Sequence, residues 1–310
     1  MASRSFIADN PAMTTARPDL HRYISHDELT TLIALAKRED LGEANLDITS
    51  QCFIPPSLTT TAVMHGRKPG RLAGAALLPL IAKHYDVNIR IDMSAVDGDV
   101  LTTRHTIATF TGSLRSILAM ERIALNVCTH LSGIATLTAT FVEAVAGTKA
   151  GIYDTRKTIP GLRGLAKYAV ACGGGKNHRI GLYDAVLVKD NHIAHVPTGE
   201  LATALSQGIA KARAMTPKPT FVEVEVDNLT QFEQVLQCDV DLILLDNMTP
   251  SQMQQAVKIR DRVKPHVELE ASGGINLNTV RAAAETGVDR IAIGALTHSA
   301  VALDIGLDIG

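Results

Sequence analysis

The chain has 310 residues, 46% of them apolar and 20% charged, which suits a globular protein with one large or two medium domains and a sizeable core. Its formal net charge of −2 gives no global field for DNA, RNA or an acidic membrane surface. With no tryptophan and 4% aromatic residues, a stacking platform for single-stranded nucleic acid is disfavoured too.

Residues 1–22 are polar, lack the apolar stretch of a secretion signal, and carry Asp9 and Asp19, which argue against an organellar transit peptide. Residues 1–24 are therefore expected to form a mobile extension. No apolar run reaches the about 18 residues of a membrane span, so no membrane partner is expected. The cysteines (Cys52, Cys128, Cys172 and Cys238) lie far apart without a CxxC, which points to reduced thiols in a cytoplasmic protein rather than a disulfide framework or zinc site.

Ser25-His26-Asp27-Glu28 is a capping-box pattern that opens a helix, which should stop near Gly42. Val87, Ile89, Ile91 and Met93 then alternate with other residues, Asp97-Gly98 supplies a tight turn, and extended structure resumes from Val100 to Phe110. Asp92, Asp97 and Asp99 read as a solvated turn rather than a metal site. Leu114 to Ala146 has a long helical pattern, in which Gly133 is expected to divide two helices and mark the passage between domains. On pattern alone, Arg122 is an exposed helical arginine. Residues 25–132 are thus expected to form an α+β sandwich domain, with residues 297–310 packing back on it.

Residues 133–296 are expected to form the second domain, and after Gly147 the grammar is repetitive. Short β-rich runs at 150–153, 184–188, 220–226, 240–245, 266–271 and 289–293 alternate with helical patterns, which implies a parallel sheet. The predicted fold is α/β: the N-terminal sandwich followed by an incomplete (β/α) barrel of about six strands. Eight strands would close such a barrel, so an open edge needing cover is expected. There is no GxGxxG after a first strand, which disfavours a dinucleotide-binding sheet.

Each of these strands delivers chemistry at its C-terminal end, where such barrels carry their active sites. Residues 154–192 gather Arg156, Lys157, Arg163, Lys167, Lys176, Arg179 and Lys189 against Asp154, Asp184 and Asp190. Guanidinium forks suit planar carboxylates and phosphates, so this window reads as an anion-binding site. A solvated basic helix fits Arg163 and Lys167 better, being spaced i, i+4. Cys172 reads as a small packed thiol. His178, after three glycines, could donate a hydrogen bond to a carboxylate. Glu223 and Glu225 alternate on one strand face; Glu223 reads as a structural ion-pair partner in the barrel. Glu225 and Asp246 could accept hydrogen bonds from sugar hydroxyls or hold Mg²⁺ through water. Ser272-Gly273-Gly274 and Gly294-Ala295 offer backbone N–H groups to a phosphate.

Several motifs then closely resemble the quinolinate phosphoribosyltransferase family: DTRKT at 154–158, PGLR at 160–163, KYAVACGGGKNHRIGLYDAVLVKDNH at 167–192, VEVEV at 222–226, LLDN at 244–247 and EASGGI at 270–275. REDLG at 38–42 and ERIALN at 121–126 extend the likeness towards the N-terminus. The resemblance implies phosphoribosyl transfer from phosphoribosyl pyrophosphate to quinolinate with decarboxylation and Mg²⁺, giving nicotinate mononucleotide in NAD biosynthesis. It implies quinolinate contacts from Thr155, Arg156, His178, Arg179 and Lys189. Phosphoribosyl pyrophosphate contacts would come from Lys157, Lys189, Glu225 and Asp246, with Ser272–Gly274 and Gly294-Ala295 on the 5′-phosphate. Lys157, Lys189, Glu225 and Asp246 would be the catalytic set, and no protein side chain would be a firm metal ligand. It also implies a homodimer or hexamer in which Arg122 crosses from the partner subunit, reversing the reading of Arg122 from pattern alone. Alternatives are a phosphoribosyltransferase for nicotinate or another carboxylated base, including the paralogues associated with molybdenum transport, and a non-catalytic sensor of a phosphorylated metabolite.

Overall fold

A computed structural model of the protein describes residues 17–310. In chain order the elements begin with α1 (His26–Leu41), α2 (Ile48–Phe53), β1 (Thr59–Gly66), β2 (Gly70–Arg71), α3 (Leu78–Tyr85), β3 (Arg90–Met93), β4 (Val100–Leu101), β5 (Thr106–Ser113) and α4 (Leu114–Ala144). They continue with β6 (Gly151–Tyr153), α5 (Arg163–Cys172), β7 (Val186–Val188), α6 (Asp190–Ile193), α7 (Leu201–Arg213), β8 (Val222–Val226), α8 (Leu229–Val235) and β9 (Leu242–Asp246). The last are α9 (Pro250–Val263), β10 (Glu268–Ser272), α10 (Val280–Ala284), β11 (Arg290–Ala292), α11 (Ala295–His298) and β12 (Ile305–Ile309). The chain forms two compact units, one of residues 17–140, 158–175 and 296–310, the other of residues 141–157 and 176–295.

In the first unit α1 starts at the capping box. The Ser25 hydroxyl accepts from Glu28 N at 3.2 Å, and the Glu28 carboxylate accepts from Ser25 N at 2.7 Å. Gly42, at φ 66°, ends the helix, a left-handed conformation that suits glycine. The main sheet has the order β12-β1-β5-β3, and β12 pairs antiparallel with β1, Gly66 facing Ile305.

Helix α4 is 31 residues long and unbroken. Ile117, Met120, Ala124, Cys128, Leu131 and Ala135 recur at helical spacing and are buried. By length and composition α4 could cross a membrane, but half of its most apolar 18-residue window is buried inside the protein. Gly133 does not divide it, and the expected boundary at 132/133 falls within the helix. A Cβ at Gly133 would lie 2.3 Å from the Val301 carbonyl oxygen, so glycine serves a close backbone approach rather than a break. Hydrogen bonds fasten the same helix: Ala73 N donates to Ser132 Oγ at 3.0 Å, and Leu303 N donates to the Thr129 carbonyl at 2.9 Å.

Three other expectations in this unit change. Asp97 is not solvated: it is 7% exposed and accepts from Ala75 N at 2.8 Å, Ala76 N at 3.2 Å and the Tyr168 hydroxyl at 2.6 Å. A buried carboxylate survives because these donors replace its water. Lys167 is buried on α5 instead of solvated. Of the expected mobile extension, residues 1–16 lie outside the described residues, whereas Leu20 and Ile24 are buried and the Tyr23 ring meets Tyr168 edge-on at 5.6 Å. The polar composition of this segment hides two anchoring apolar side chains.

The second unit contains one parallel six-stranded sheet in the order β6-β11-β10-β9-β8-β7. Its strands are Val/Ile/Leu-rich and mostly buried, as parallel strands covered on both faces must be. Numbered from β6, the order is 1-6-5-4-3-2, a barrel arrangement left unjoined between its first two strands. There a single parallel bridge, Tyr153 with Lys176, extends the pattern. At the strand starts the Arg290 guanidinium lies 4.7 Å over the Tyr153 ring and 5.9 Å over Phe221, and pairs with Glu268. This arrangement places a cation between aromatic faces.

Gly133→Ala should destabilise the protein by about 1–3 kcal/mol through overpacking against the Val301 backbone. The urea midpoint should fall with an unchanged m-value; an unchanged midpoint would mean that this contact relaxes freely.

Candidate active site

Every side chain brought together here belongs to the parallel-sheet unit. The construction begins with Asp154, which follows β6 and is fully buried. Its two oxygens accept from His178 N at 2.9 Å and Asn177 Nδ2 at 2.6 Å. Backbone bonds complete the junction: Lys176 N donates to Ile152 O at 2.7 Å, and Asp154 N donates to Lys176 O at 3.1 Å. The segment from Lys176 thereby runs alongside β6, and His178 and Arg179 are set beside the end of that strand.

Arg179 is buried, and its Nη1 donates to the Ala185 carbonyl at 3.1 Å. Its Nε and that of Arg156 are both buried without a protein acceptor. Burial first, and then the neighbouring Arg156 charge, push the Arg179 guanidinium below its usual basicity. Two cations held near each other with unsatisfied donors are costly alone, and a ligand with more than one anionic group relieves both the repulsion and the missing hydrogen bonds. Thr155 Oγ1 accepts from Lys157 N at 3.1 Å, shaping the turn that carries the exposed Lys157.

Acidic groups stand on the neighbouring strands. Glu225 on β8 forms an ion pair with Lys189, which follows β7. Asp246 ends β9, and one of its oxygens accepts from Asn247 Nδ2 at 2.8 Å. Ser272 at the end of β10 is in register with Asp246. Gly273 and Gly274 follow at φ 90° and 62°. A Cβ on Gly273 would meet Asn247 Oδ1 at 2.2 Å, so the loop needs glycine for both conformation and space. Nothing lies within 4 Å of where a Cβ on Gly274 would sit, which leaves the loop's backbone open to close approach by a phosphate. Gly294 lies in the turn after β11, and Ala295 opens α11.

His178 is buried, and both its ring nitrogens meet protein groups. Nε2 lies 2.8 Å from Glu223 and 3.6 Å from Glu270, while Nδ1 accepts from Arg179 N at 2.7 Å. Glu223 is expected to be an ion-pair partner inside the barrel; the structure gives it a hydrogen bond to the His178 ring instead. Glu270 was not singled out from sequence, although ELEAS places glutamates at alternate positions just as VEVEV does. It is fully buried, and burial and then the Glu223 charge push its carboxyl up to about 8. Cys172 is a buried thiol, pushed up to about 12 chiefly by burial, which suits packing rather than reactivity. Arg122 is exposed on α4, in the first unit, so these contacts do not include it.

Known proteins resemble this chain along most of its length. Residues 134–308 match the family model described as quinolinate phosphoribosyl transferase, C-terminal domain, and residues 47–132 match its N-terminal domain. The chain is 46% identical over 285 residues to the nicotinate-nucleotide pyrophosphorylase [carboxylating] of Mycobacterium leprae, covering 91% of this chain and 98% of that protein. It is 36% identical to the probable enzyme of that name from Bacillus subtilis, covering 92% and 95%. Among solved structures, the nicotinate-nucleotide pyrophosphorylase from Francisella tularensis superposes with a TM-score of 0.84 at 35% identity, covering 95% of this chain and 100% of the other. That from Ehrlichia chaffeensis gives 0.83 at 38%, covering 93% and 99%.

The raised carboxyl of Glu270 carries a pH consequence. Its folded value, about 8, exceeds its ordinary 4.5, so between these the folded state holds the proton more tightly than the unfolded chain. Stability from this group is full below the ordinary value and is lost as pH rises through the folded value. Glu270→Gln, which mimics the protonated acid, should flatten the fall of the urea midpoint between about pH 5 and 8. An equally steep fall in the variant would assign the dependence to other groups.

Proposed function

The chain belongs to the quinolinate phosphoribosyltransferase family, and from that membership we propose how its own residues divide the work of the reaction. The enzyme transfers the phosphoribosyl group of phosphoribosyl pyrophosphate to quinolinate with loss of CO₂, giving nicotinate mononucleotide and pyrophosphate for NAD biosynthesis. The observation that carries the assignment of residues is the pair of buried, unpartnered Nε atoms on Arg156 and Arg179. Two adjacent guanidinium groups suit the two adjacent carboxylates of quinolinate, each able to receive charge-assisted hydrogen bonds.

Quinolinate would be clamped by Arg156 and Arg179, with Thr155, His178 and Lys189 around it, so that its ring nitrogen faces the ribose C1. Glu225 and Asp246 would accept hydrogen bonds from the ribose hydroxyls, and the Ser272–Gly274 and Gly294-Ala295 turns would donate N–H groups to the 5′-phosphate. Lys157 and Lys189 would stabilise negative charge as pyrophosphate leaves. After ribosyl transfer the carboxylate beside the ring nitrogen would leave as CO₂, its bond electrons staying on the ring carbon next to the pyridinium nitrogen, where a proton from water would complete nicotinate mononucleotide.

Glu225 and Asp246 fit magnesium as acceptors for its water shell, since Glu225 already pairs with Lys189 and the donor set is all oxygen. A magnesium ion held there with the pyrophosphate would neutralise part of the leaving charge. Exposure of Arg122 on α4 is compatible with delivery to a second subunit's site in a homodimer or hexamer. Four free cysteines, three of them buried, suit a reducing cytoplasm.

A turnover assay with quinolinate, phosphoribosyl pyrophosphate and Mg²⁺, run beside one with nicotinate in place of quinolinate, should give nicotinate mononucleotide from the dicarboxylate only. Product from nicotinate alone would overturn the reading. Arg156→Ala should lower kcat/KM for quinolinate by at least about 30-fold, or roughly 2 kcal/mol; a loss under about twofold would remove it from the clamp.

Mixing inactive Arg122→Ala with inactive Lys157→Ala protein should restore activity in mixed dimers. No recovery in dimers verified as mixed would count against a site shared between subunits.

A further inference from the structure

The group most tightly held near the two arginines is His178, and its restraints come from four directions. Asp154 accepts from its backbone N at 2.9 Å, and the Phe221 ring meets the imidazole edge-on at 5.4 Å. Nδ1 accepts the Arg179 backbone N–H at 2.7 Å. A nitrogen that accepts is unprotonated, so the proton of the neutral imidazole lies on Nε2, which donates to Glu223 at 2.8 Å. Glu270 Oε1, at 3.6 Å, is too distant to compete for that proton.

His178, Glu223 and Glu270 place their donor atoms within 4.8 Å of one another, a grouping that invites a metal reading. The tautomer argues otherwise. A metal-binding imidazole must present an unprotonated nitrogen, and the one available here is occupied by Arg179 N–H. The cluster is a hydrogen-bonded relay of position: Glu223 fixes the ring, the ring fixes the Arg179 backbone, and the Ala185 carbonyl then orients the Arg179 guanidinium.

We propose that Glu223 is a positioning residue for the quinolinate clamp, holding His178 in its Nε2–H form so that Nδ1 anchors Arg179 beside Arg156. This rests on the function proposed above for Arg156 and Arg179. It gives Glu223, which is wholly buried in the barrel, a role in dicarboxylate affinity without contact to substrate. Gln at this position keeps an acceptor oxygen for Nε2–H; Leu keeps the bulk and removes the acceptor.

The test compares Glu223→Gln and Glu223→Leu by steady-state kinetics and by long-range ¹H–¹⁵N spectra of ¹⁵N-histidine-labelled protein, with His178 assigned through His178→Gln. Glu223→Leu should raise KM for quinolinate at least tenfold while KM for phosphoribosyl pyrophosphate stays within twofold; Glu223→Gln should keep both within threefold. In the wild type and Glu223→Gln, His178 should show a protonated Nε2 and an unprotonated Nδ1, and in Glu223→Leu a mixture of tautomers. A KM for quinolinate within twofold in Glu223→Leu, or equal increases for both substrates, would overturn the proposal. So would an Nδ1–H tautomer or an imidazolium in the wild type, a result that needs no turnover and stands even if Glu223→Leu does not fold. Absence of wild-type turnover with quinolinate would strike the function proposed above, while the tautomer would still decide whether Glu223 positions His178.

Discussion

The parallel sheet depends on a single buried carboxylate. Asp154 holds the first partner of the open β6 edge, because the chain between β6 and β7 first departs into the other unit and pairs with β6 on returning at Lys176. By accepting from Asn177 and His178, Asp154 fixes the returning segment against β6. Burying a carboxylate without donors would cost several kcal/mol, so the segment and the acid hold each other in place. Arg156, Lys157 and Arg179 flank this junction in sequence, which makes it the common origin of the basic part of the site.

Charge is layered through the same sheet. Arg156, with its unpartnered Nε, follows β6 and Arg179 lies in the segment set beside it, whereas Glu223 and Glu270 sit inside strands with no exposure. Arg290 and Glu268 lie at the strand starts. The interior acids meet His178 and a nearby Arg290, and Glu270 is pushed towards its neutral form, so the barrel interior need not hold two bare carboxylates. The cations are thereby left with their charge directed to a ligand instead of being cancelled by the core.

The parallel strands were legible in sequence because apolar runs of Val, Ile and Leu stop abruptly at residues such as Lys189, Asp246 and Ser272. The resemblance found the same places. What sequence hid was burial and long-range partnership. Asp97-Gly98 is a true turn, with Gly98 at φ 92°, yet nothing near it announces Tyr168 as the partner of Asp97. Gly133 lowers helix propensity, but the close Val301 backbone outweighs that local cost. Leu20 and Ile24 were lost among polar neighbours. The hold of Glu223 on the His178 ring was hidden as well, because that partner lies on a later strand.

The pairing of β12 with β1 has a consequence for how the protein reaches this state. Gly66 and Ile305 are neighbours in the antiparallel sheet, yet the entire parallel sheet is encoded between them. Until β12 arrives, β1 presents unpaired backbone groups along one edge, a template for pairing with another chain. Such a remote contact closes slowly because its loop entropy must be met before the pairing rewards it. The antiparallel sheet is therefore completed only when the segment that follows the parallel sheet in sequence has joined β1.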